Sequence, residues 1–207
     1  MINMSALALA PLSAETSALV EWLRKSVVVV RSGQGHGSGV IWRPDGLIVT
    51  NNHVASTGRA EVEVADGRRA QAVVVARDPK NDLAALRVLL PDLPSVPLGD
   101  SRTVKVGQLI MAVGHPLGVR GTATLGIVSA AGCVMQRGRQ QCQVIHADVE
   151  LLPGNSGGPL ADMHGRVIGI ASMVISPGIA IAVPSHVVEK FINEIAFREK
   201  ESLRKAA

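Results

Sequence analysis

Aromatic residues are scarce in this chain of 207 residues, which has two Trp, two Phe and no Tyr. It therefore lacks the stacked rings on which single-stranded nucleic acids bind. The C-terminus is basic, but a solvated helix end explains this charge, so no nucleic-acid partner is expected. The basic residues there are Arg198, Lys200, Arg204 and Lys205. With 47% hydrophobic and 18% charged residues, the chain is expected to fold around an aliphatic core.

Long apolar runs are also missing. No segment approaches the roughly 20 apolar residues that cross a bilayer, so no membrane span is expected. The first residues include the apolar stretch ALALAPL, which is short and follows no basic residues, so it is a poor secretory signal. On this basis a cytoplasmic location is favoured over a periplasmic or secreted one.

Cysteine is limited to Cys133 and Cys142, which flank the segment VMQRGRQQ. Their spacing does not match a zinc site, so the cysteines suggest no metal site. If the segment is the tip of a hairpin, a disulfide could join the two cysteines. Two free thiols in a reducing compartment are the alternative.

Short β-branched segments separated by turn signals run from residue 27 to residue 183. VVVV, GLIVT and AQAVVVA have the length of strands, and Pro44-Asp45-Gly46 is typical of the turns between them. Three prolines in PDLPSVPLGD at 91–100 indicate a linker between two halves. About six short strands per half, without helical crossovers, predict an all-β fold of two antiparallel six-stranded β-barrels.

Helices are predicted at both ends of the chain. The segment SAETSALVEWLRK suggests a short helix with Ser13 as its cap. The segment PSHVVEKFINEIAFREK suggests an amphipathic helix capped by Ser185 and packed on the second barrel. The predicted organisation is an arm at 1–26, a first barrel at 27–97, a second barrel at 98–183, and a helix with a basic tail at 184–207.

The segment ELLPGNSGGPL at 150–160 places Ser156 among three glycines and between two prolines. A serine hydroxyl is a weak nucleophile unless a base removes its proton, and acyl transfer also needs donors at the developing oxyanion. Glycines permit tight turns that aim N–H groups into one cavity. The motif therefore favours a nucleophile over a plain glycine-rich turn.

A base and an orienting carboxylate are needed elsewhere in the chain. His53, in TNNHVAS, directly follows the predicted strand GLIVT, where a scaffold can hold a side chain rigidly. The segment RDPKNDLAALRV offers two carboxylates. Asp82 begins an apolar strand and is chosen, whereas Asp78 precedes a proline and is typical of a turn.

In their order along the chain, His53, Asp82 and Ser156 resemble the chymotrypsin clan. The motifs GSGVIW, TNNHV, DPKNDLAALRV, AVGHPLG, TLGIVSA, PGNSGGPL and IAIAVPSHVV resemble those of HtrA/DegP-type serine proteases. The resemblance runs from about Val27 to about Ile195. It implies a trypsin-like fold with the active site between the barrels, in which His53 is the general base, Asp82 orients it and Ser156 attacks the substrate.

The resemblance further implies an oxyanion hole and a substrate-binding strand. The N–H groups of Gly154 and Ser156, with Asn155 between them, would form the oxyanion hole. The strand would pair with the main chain of unfolded or damaged polypeptides, and it comprises Ala171, Ser172, Met173 and Val174. No cofactor is required.

Three features depart from the family. Its members usually continue into PDZ domains, and regulation through such domains is not expected here. Members often form trimers through aromatic residues of the arm, but this arm offers only Trp22, so a trimer and a monomer both remain open. Leu152 replaces a usual asparagine, and Glu150 replaces a small or aliphatic residue.

Glu150, with its neighbours Leu151 and Leu152, bears on specificity. In chymotrypsin-like proteases the residue six positions before the nucleophile lies at the base of the S1 pocket, where a carboxylate selects Lys or Arg at P1. The family resemblance alone implies small aliphatic P1 residues. A third interpretation turns Glu150 outward, to solvent, Arg120 or Arg137, and a fourth has it fill the pocket and demand a very small P1.

The sequence thus predicts a serine endopeptidase that works through an acyl-enzyme. The alternative from another class is a holdase that binds exposed peptide by strand addition without cleaving it. The complete set of His53, Asp82 and Ser156 argues against this alternative, because a binding protein does not need all three.

Overall fold

The structure is a computed structural model that describes residues 4–33, 35–116, 119–137, 140–176 and 178–206. Its first six strands form an antiparallel sheet in the order β1-β2-β3-β6-β5-β4, closed by pairing of β4 with β1. The strands are β1 Val27–Ser32, β2 Gly35–Arg43, β3 Leu47–Asn51, β4 Arg59–Glu63, β5 Arg69–Asp78 and β6 Leu83–Val88. Their inward side chains are almost all Val, Ile, Leu and Ala, so the core is aliphatic, as predicted.

The second barrel closes in the order β10-β11-β12-β9-β8-β7, with β7 paired to β10. Its strands are β7 Leu109–Gly114, β8 Thr122–Arg137, β9 Gln140–Asp148, β10 Pro159–Asp162, β11 Val167–Ser176 and β12 Ile179–Pro184. The predicted fold class, two six-stranded antiparallel barrels, is confirmed. Sequence patterns missed β10, because its four residues follow the PGNSGG motif without a turn signal between them.

The N-terminal helix α1 spans Met4–Arg24 and begins well before Ser13. The expected cap at Ser13 is therefore wrong. The hydroxyls of Thr16 and Ser17 donate to the carbonyls of Leu12 and Ser13, four residues earlier, at 2.7 and 2.9 Å. Alanines at alternate positions before Pro11 favour extension of the helix in this direction.

The last turns of α1 pack against the second barrel. Leu23 is fully buried and, with Leu19 and Val20, lies against Met111 and Val113 of β7. Trp22 remains 44% exposed. The apolar face of the arm is thus used within the chain.

The C-terminal helix α2 spans Ser185–Ala206 and bridges the barrels. Its apolar residues share one buried cluster with Trp42 and Leu47 of the first barrel and with Ile170 and Val183 of the second. The members from α2 are Val188, Phe191, Ile192 and Ile195. The helix thus packs on the second barrel, as predicted, and it also contacts the first.

Ser185 does not cap α2 as predicted. Its hydroxyl donates to the Gly99 carbonyl at 2.6 Å and accepts from the Ser101 N–H at 3.1 Å. The 3-10 turn η1, Ser101–Thr103, lies beside it. Ser185 thereby joins the inter-barrel linker to the start of the helix.

Cys133 and Cys142 are free thiols in the structure. Cys133 pairs with Val144 across the β8–β9 hairpin, and Cys142 pairs with Met135, so the two cysteines are diagonal neighbours. Such neighbours are about 7–8 Å apart, beyond the span of an unstrained disulfide. The geometry therefore favours two thiols.

Within the part of the chain that the structure describes, neither helix has both the length and the apolar character that crossing a bilayer requires. The side chains of Lys200, Arg204 and Lys205, which contribute to the basic tail, lie outside the described residues.

Candidate active site

His53 and Asp82 meet at one end of the first barrel. β3 and β6 are neighbours, and their register pairs Asn51 with Leu83, so the first residues after β3, which include His53, lie beside Asp82, the residue before β6. His53 Nδ1 lies 2.8 Å from Asp82 Oδ2, and the His53 backbone N–H donates to Oδ1 at 3.1 Å. An ionised carboxylate only accepts hydrogen bonds, so Nδ1 carries the proton and Nε2 presents its lone pair.

Asp82 is held in a conformation that few residues adopt. It is 3% exposed and has a φ of 58°, in the left-handed region that Asp tolerates better than most residues. Its carbonyl accepts hydrogen bonds from the Asn52 N–H and from Asn51 Nδ2, both at 3.0 Å. These bonds fix the backbone from which the carboxylate reaches His53.

Asp78, the other candidate carboxylate, has a separate local role. It accepts hydrogen bonds from the backbone N–H and the side-chain amide of Asn81, at 3.1 and 2.6 Å. Asp78 therefore shapes the turn before β6, while Asp82 contacts His53.

Ser172 of β11 joins the two barrels at the site. Its hydroxyl donates to Asp82 Oδ2 at 2.8 Å, and its carbonyl accepts from Ser156 Oγ at 2.8 Å. Sequence reasoning placed Ser172 on the substrate-binding strand but gave no sign of its bond to Asp82. That bond depends on how β11 of the second barrel packs against the first barrel, which no local pattern encodes.

The backbone before Ser156 forms a tight turn. The Asn155 N–H donates to the Leu152 carbonyl at 2.9 Å, and Gly154 has a φ of 107°, as the third position of a type II turn requires. The N–H of Asn155, a residue predicted as part of the oxyanion hole, is thus hydrogen-bonded within the turn. Among the described residues, the N–H groups of Gly154 and Ser156 have no hydrogen-bond partner.

Gly157 is required by a close approach between the barrels. A Cβ atom at this position would lie 2.0 Å from the carbonyl oxygen of Ser38, and the φ of Gly157 is 88°. The Gly157 N–H donates to the Ala171 carbonyl at 2.8 Å. Ala171, predicted to lie on the substrate-binding strand, is buried behind the cleft, and its carbonyl supports the turn.

A cleft of about 420 Å³ runs between His53 and Ser156. The other residues that line it are Leu151, Leu152, Pro153, Ser172, Met173 and Val174. Five predicted substrate-binding residues are therefore brought together here, and their side chains are mostly apolar.

Glu150 lies outside the residues that line this cleft. It is exposed, and its carbonyl accepts from the Thr124 hydroxyl at 2.8 Å. Of its two suggested partners, Arg120 pairs with Glu63 instead, and the side chain of Arg137 lies outside the described residues. The structure thus places Glu150 in solvent.

The turn at residues 152–157, which carries the candidate nucleophile Ser156, is the nucleophile turn. A buried polar layer lies behind it, and His115 is the centre of this layer. His115 is 7% exposed, and its Nδ1 accepts from the Gly121 N–H at 3.1 Å. Burial lowers the pKa of His115 to about 4; the charges of Arg120 and Arg24 act in the same direction, while Glu63 and the Val27 backbone oppose them. The Val27 backbone lies near the imidazole, but none of the described residues forms a hydrogen bond of good geometry with Nε2.

Glu63 adds a buried charge to this layer. Arg31 and Arg69 of the first barrel lie 3.1 and 3.0 Å from its Oε2, and Arg120 from the loop before β8 pairs with Oε1. Burial by itself would raise the pKa of Glu63, but these three guanidinium groups outweigh it and hold the pKa below its usual value.

No three His, Cys, Asp or Glu side chains are grouped as metal ligands among the residues that the structure describes. The chemistry available at the site is that of a serine hydroxyl, an imidazole held by a carboxylate, and two backbone N–H donors. On two closed antiparallel barrels, this arrangement defines the trypsin-like class of proteins.

Comparison with known proteins gives the family. Residues 37–170 match the trypsin-like peptidase domain, and the chain belongs to this family. It is 38% identical over 171 residues to a probable periplasmic serine endoprotease DegP-like of Chlamydia pneumoniae, covering 77% of this chain and 34% of that protein. A protein of the same description from Pseudomonas putida (strain W619) is 40% identical over 171 residues, covering 80% and 36%.

A solved structure agrees with these sequence matches. The HtrA-type protease AlgW with tripeptide superimposes with a TM-score of 0.81 at 35% identity, covering 86% of this chain and 62% of the other. The predicted resemblance to HtrA/DegP-type proteases is confirmed. The chain spans about a third of the length of the curated relatives it matches.

Proposed function

We propose that the chain is the catalytic domain of a serine endopeptidase that cleaves polypeptides through an acyl-enzyme. One observation carries the proposal: the hydrogen-bonded pair of His53 and Asp82, at 2.8 Å, opens onto the cleft that also holds Ser156. The DegP-like names of the curated relatives and the AlgW structure support the same activity.

The reaction requires one side-chain rotation. Ser156 Oγ donates to the Ser172 carbonyl in this structure, and a change of χ1 rotamer turns it towards His53 Nε2. Catalytic hydrogen bonds often tighten only when substrate is bound. The bond to Ser172 thus holds the Ser156 hydroxyl at the cleft that His53 also lines.

Acyl transfer then follows from the geometry. Ser156 Oγ bonds to the scissile carbonyl carbon as His53 Nε2 takes the hydroxyl proton, and the carbonyl π electrons move to oxygen. The N–H groups of Gly154 and Ser156 stabilise this oxyanion. When the C–N bond breaks, His53 returns the proton to the leaving amine. Water attacks the resulting ester in the same way and releases the carboxylate product.

The cleft favours an apolar substrate side chain. Leu151, Met173 and Val174 line it, whereas Glu150 is exposed and lies outside the lining. A pocket with these walls and no charge binds apolar groups by removing them from water. We therefore propose an aliphatic P1 residue in place of Lys or Arg, and unfolded chains as the substrates that can present it.

Location and assembly follow the same reasoning. The curated relatives are named as periplasmic, which favours the periplasm over the cytoplasm and goes against the preference drawn from the sequence. Leu19, Val20 and Leu23 pack within the chain, which favours a monomer over a trimer built on these residues. No observation favours the non-catalytic holdase.

A labelling experiment tests the activity. The wild type is expected to react with a fluorophosphonate probe and to digest denatured casein. Ser156→Ala is expected to lose labelling and to lower turnover on the order of a millionfold, as in other serine proteases, with the melting temperature nearly unchanged. Ser17→Ala, which removes an exposed hydroxyl of α1, is the control and keeps both signals. Casein digestion by Ser156→Ala at the wild-type rate would rule out Ser156 as nucleophile.

A further inference from the structure

Ser38 of β2 lies where the first barrel meets the nucleophile turn, and it is fully buried. Its hydroxyl donates to the Gly154 carbonyl at 2.7 Å and accepts from the His115 N–H at 3.0 Å. Its backbone N–H donates to the Ser156 carbonyl at 2.8 Å. One residue of the first barrel therefore holds two carbonyl groups of a turn that belongs to the second.

These contacts fix the peptide groups around the proposed oxyanion hole. The peptide between Gly154 and Asn155 is held at both ends, because its carbonyl accepts from Ser38 and its N–H donates to Leu152. A peptide group is planar, so holding both ends sets its rotation. That rotation in turn sets the directions of the adjacent N–H groups of Gly154 and Ser156.

From this geometry we infer that Ser38 is a positioning residue for the oxyanion hole, acting through its hydroxyl on the Gly154 carbonyl. The inference rests on the proposed endopeptidase function. Without the hydroxyl, the Gly154 carbonyl and the His115 N–H would be buried without partners, and groups in that state drive local rearrangement. The turn would then lose its orientation, while the part of the cleft lining that belongs to β11, Met173 and Val174, would be left in place.

The chain offers a matched control in Ser32 of β1. Ser32 is 2% exposed; its hydroxyl donates to the Arg59 carbonyl at 3.0 Å and accepts from the Thr57 N–H at 3.1 Å. Burial and hydrogen bonding thus resemble those of Ser38. Its partners all belong to the first barrel, so it does not contact the nucleophile turn.

Kinetics separates positioning from general stability. Ser38→Ala is expected to lower kcat for a peptide substrate by roughly tenfold to a hundredfold, below the 100- to 1,000-fold lost when an oxyanion donor itself is removed. KM should change by less than about twofold, because binding and catalysis use different groups. Ser32→Ala is expected to leave kcat unchanged even if it lowers the melting temperature equally. Ser38→Cys, which keeps a weak S–H donor, should fall between Ser38→Ala and the wild type.

Hydrogen exchange gives a readout that does not depend on activity. By mass spectrometry, Ser38→Ala is expected to exchange faster than wild type across residues 150–158, while Ser32→Ala is not. Unchanged kcat and exchange in Ser38→Ala, or equal losses of kcat in Ser38→Ala and Ser32→Ala, would overturn the inference. A wild type that neither cleaves nor labels would refute the proposed function, and faster exchange in Ser38→Ala would still show that Ser38 positions the turn.

Discussion

The two barrels contribute to the active site in different ways. The first supplies the proposed base and its carboxylate as a complete pair, because β3 and β6 are neighbours and the end of β3 lies beside the start of β6. The second supplies Ser156 on a turn whose carbonyls are held by Ser38 of the other barrel. Ser172 acts in the opposite direction, since its hydroxyl reaches from β11 to Asp82.

This difference shows where the site depends on assembly. The His53–Asp82 pair requires one correctly registered strand pair within a single barrel, although β4 and β5 separate β3 from β6 along the chain. The nucleophile turn requires the two barrels to dock with the right spacing, as the 2.0 Å approach that a Cβ at Gly157 would make to Ser38 illustrates. Disruption of the pair should therefore affect chemistry more than stability, whereas disruption of the layer behind the turn should also affect stability.

After the loss of Ser156 itself, the largest expected effect comes from breaking the pair in the first barrel. Asp82→Asn should lower kcat by about 10⁴-fold, since the amide no longer holds His53 in the tautomer that presents the Nε2 lone pair. Steady-state kinetics on a peptide substrate checks this, with Asp78→Asn as the control in the neighbouring turn. If both variants lose activity to the same extent, the assignment of Asp82 over Asp78 is wrong.

The buried layer behind the second barrel's turn should show itself through pH. The pKa of His115 is about 4 in the fold, against 6.5 as its usual value, so the unfolded chain binds the proton more readily. Above about pH 6.5 His115 is neutral in both states and does not affect the free energy of unfolding. As the pH drops towards 4, protonation of the unfolded chain lowers this free energy by roughly 3 kcal/mol in total.

Urea unfolding between pH 4 and 7.5 measures this effect as the difference between wild type and His115→Asn. The difference should shrink as the pH falls. His164→Asn, at a side chain that is 77% exposed, should instead give a curve parallel to that of the wild type. A parallel curve for His115→Asn would contradict the prediction.

The ion pairs that link the barrels through Glu63 should have a smaller effect. Glu63→Gln leaves Arg31, Arg69 and Arg120 without their shared carboxylate and should lower the free energy of unfolding by about 2 kcal/mol, below the range of about 3–5 for fully buried pairs. Glu61→Gln, at a side chain that is 36% exposed, should lower it by less than about 1 kcal/mol. Urea unfolding at pH 7 compares them, and equal losses would show that burial of Glu63 contributes nothing.

The smallest effect is expected at Glu150, outside the cleft wall of the second barrel. Glu150→Ala should leave kcat/KM for peptides with an aliphatic P1 within about twofold. Met173→Ala should change the P1 profile by about tenfold, as loss of an apolar pocket contact does. A P1 peptide library measures both variants. A wild-type preference for Lys or Arg that Glu150→Ala abolishes would restore Glu150 as the specificity residue.

Sequence alone determined the features that local patterns encode. β-branched runs between turn signals predicted the barrels. The motifs around His53 and Ser156 predicted two residues that line one cleft, and Asp82 is bonded to His53 beside it. These inferences work because strand formation, turn geometry and nucleophile motifs depend on residues close together in the chain. Helix caps failed even at this level, since the hydroxyl of Ser185 bonds to the linker and Ser13 lies inside α1.

Tertiary structure decided everything that depends on contacts across the barrels. Ser172 and Ser38 carry no sequence signal of their own, yet one holds the carboxylate of Asp82 and the other the turn before Ser156. Glu150 matched a specificity position by its spacing, but the path of the loop leaves it in solvent. A side chain's role there is set by partners dozens of residues away, and only the docking of the two barrels brings those partners within hydrogen-bond distance.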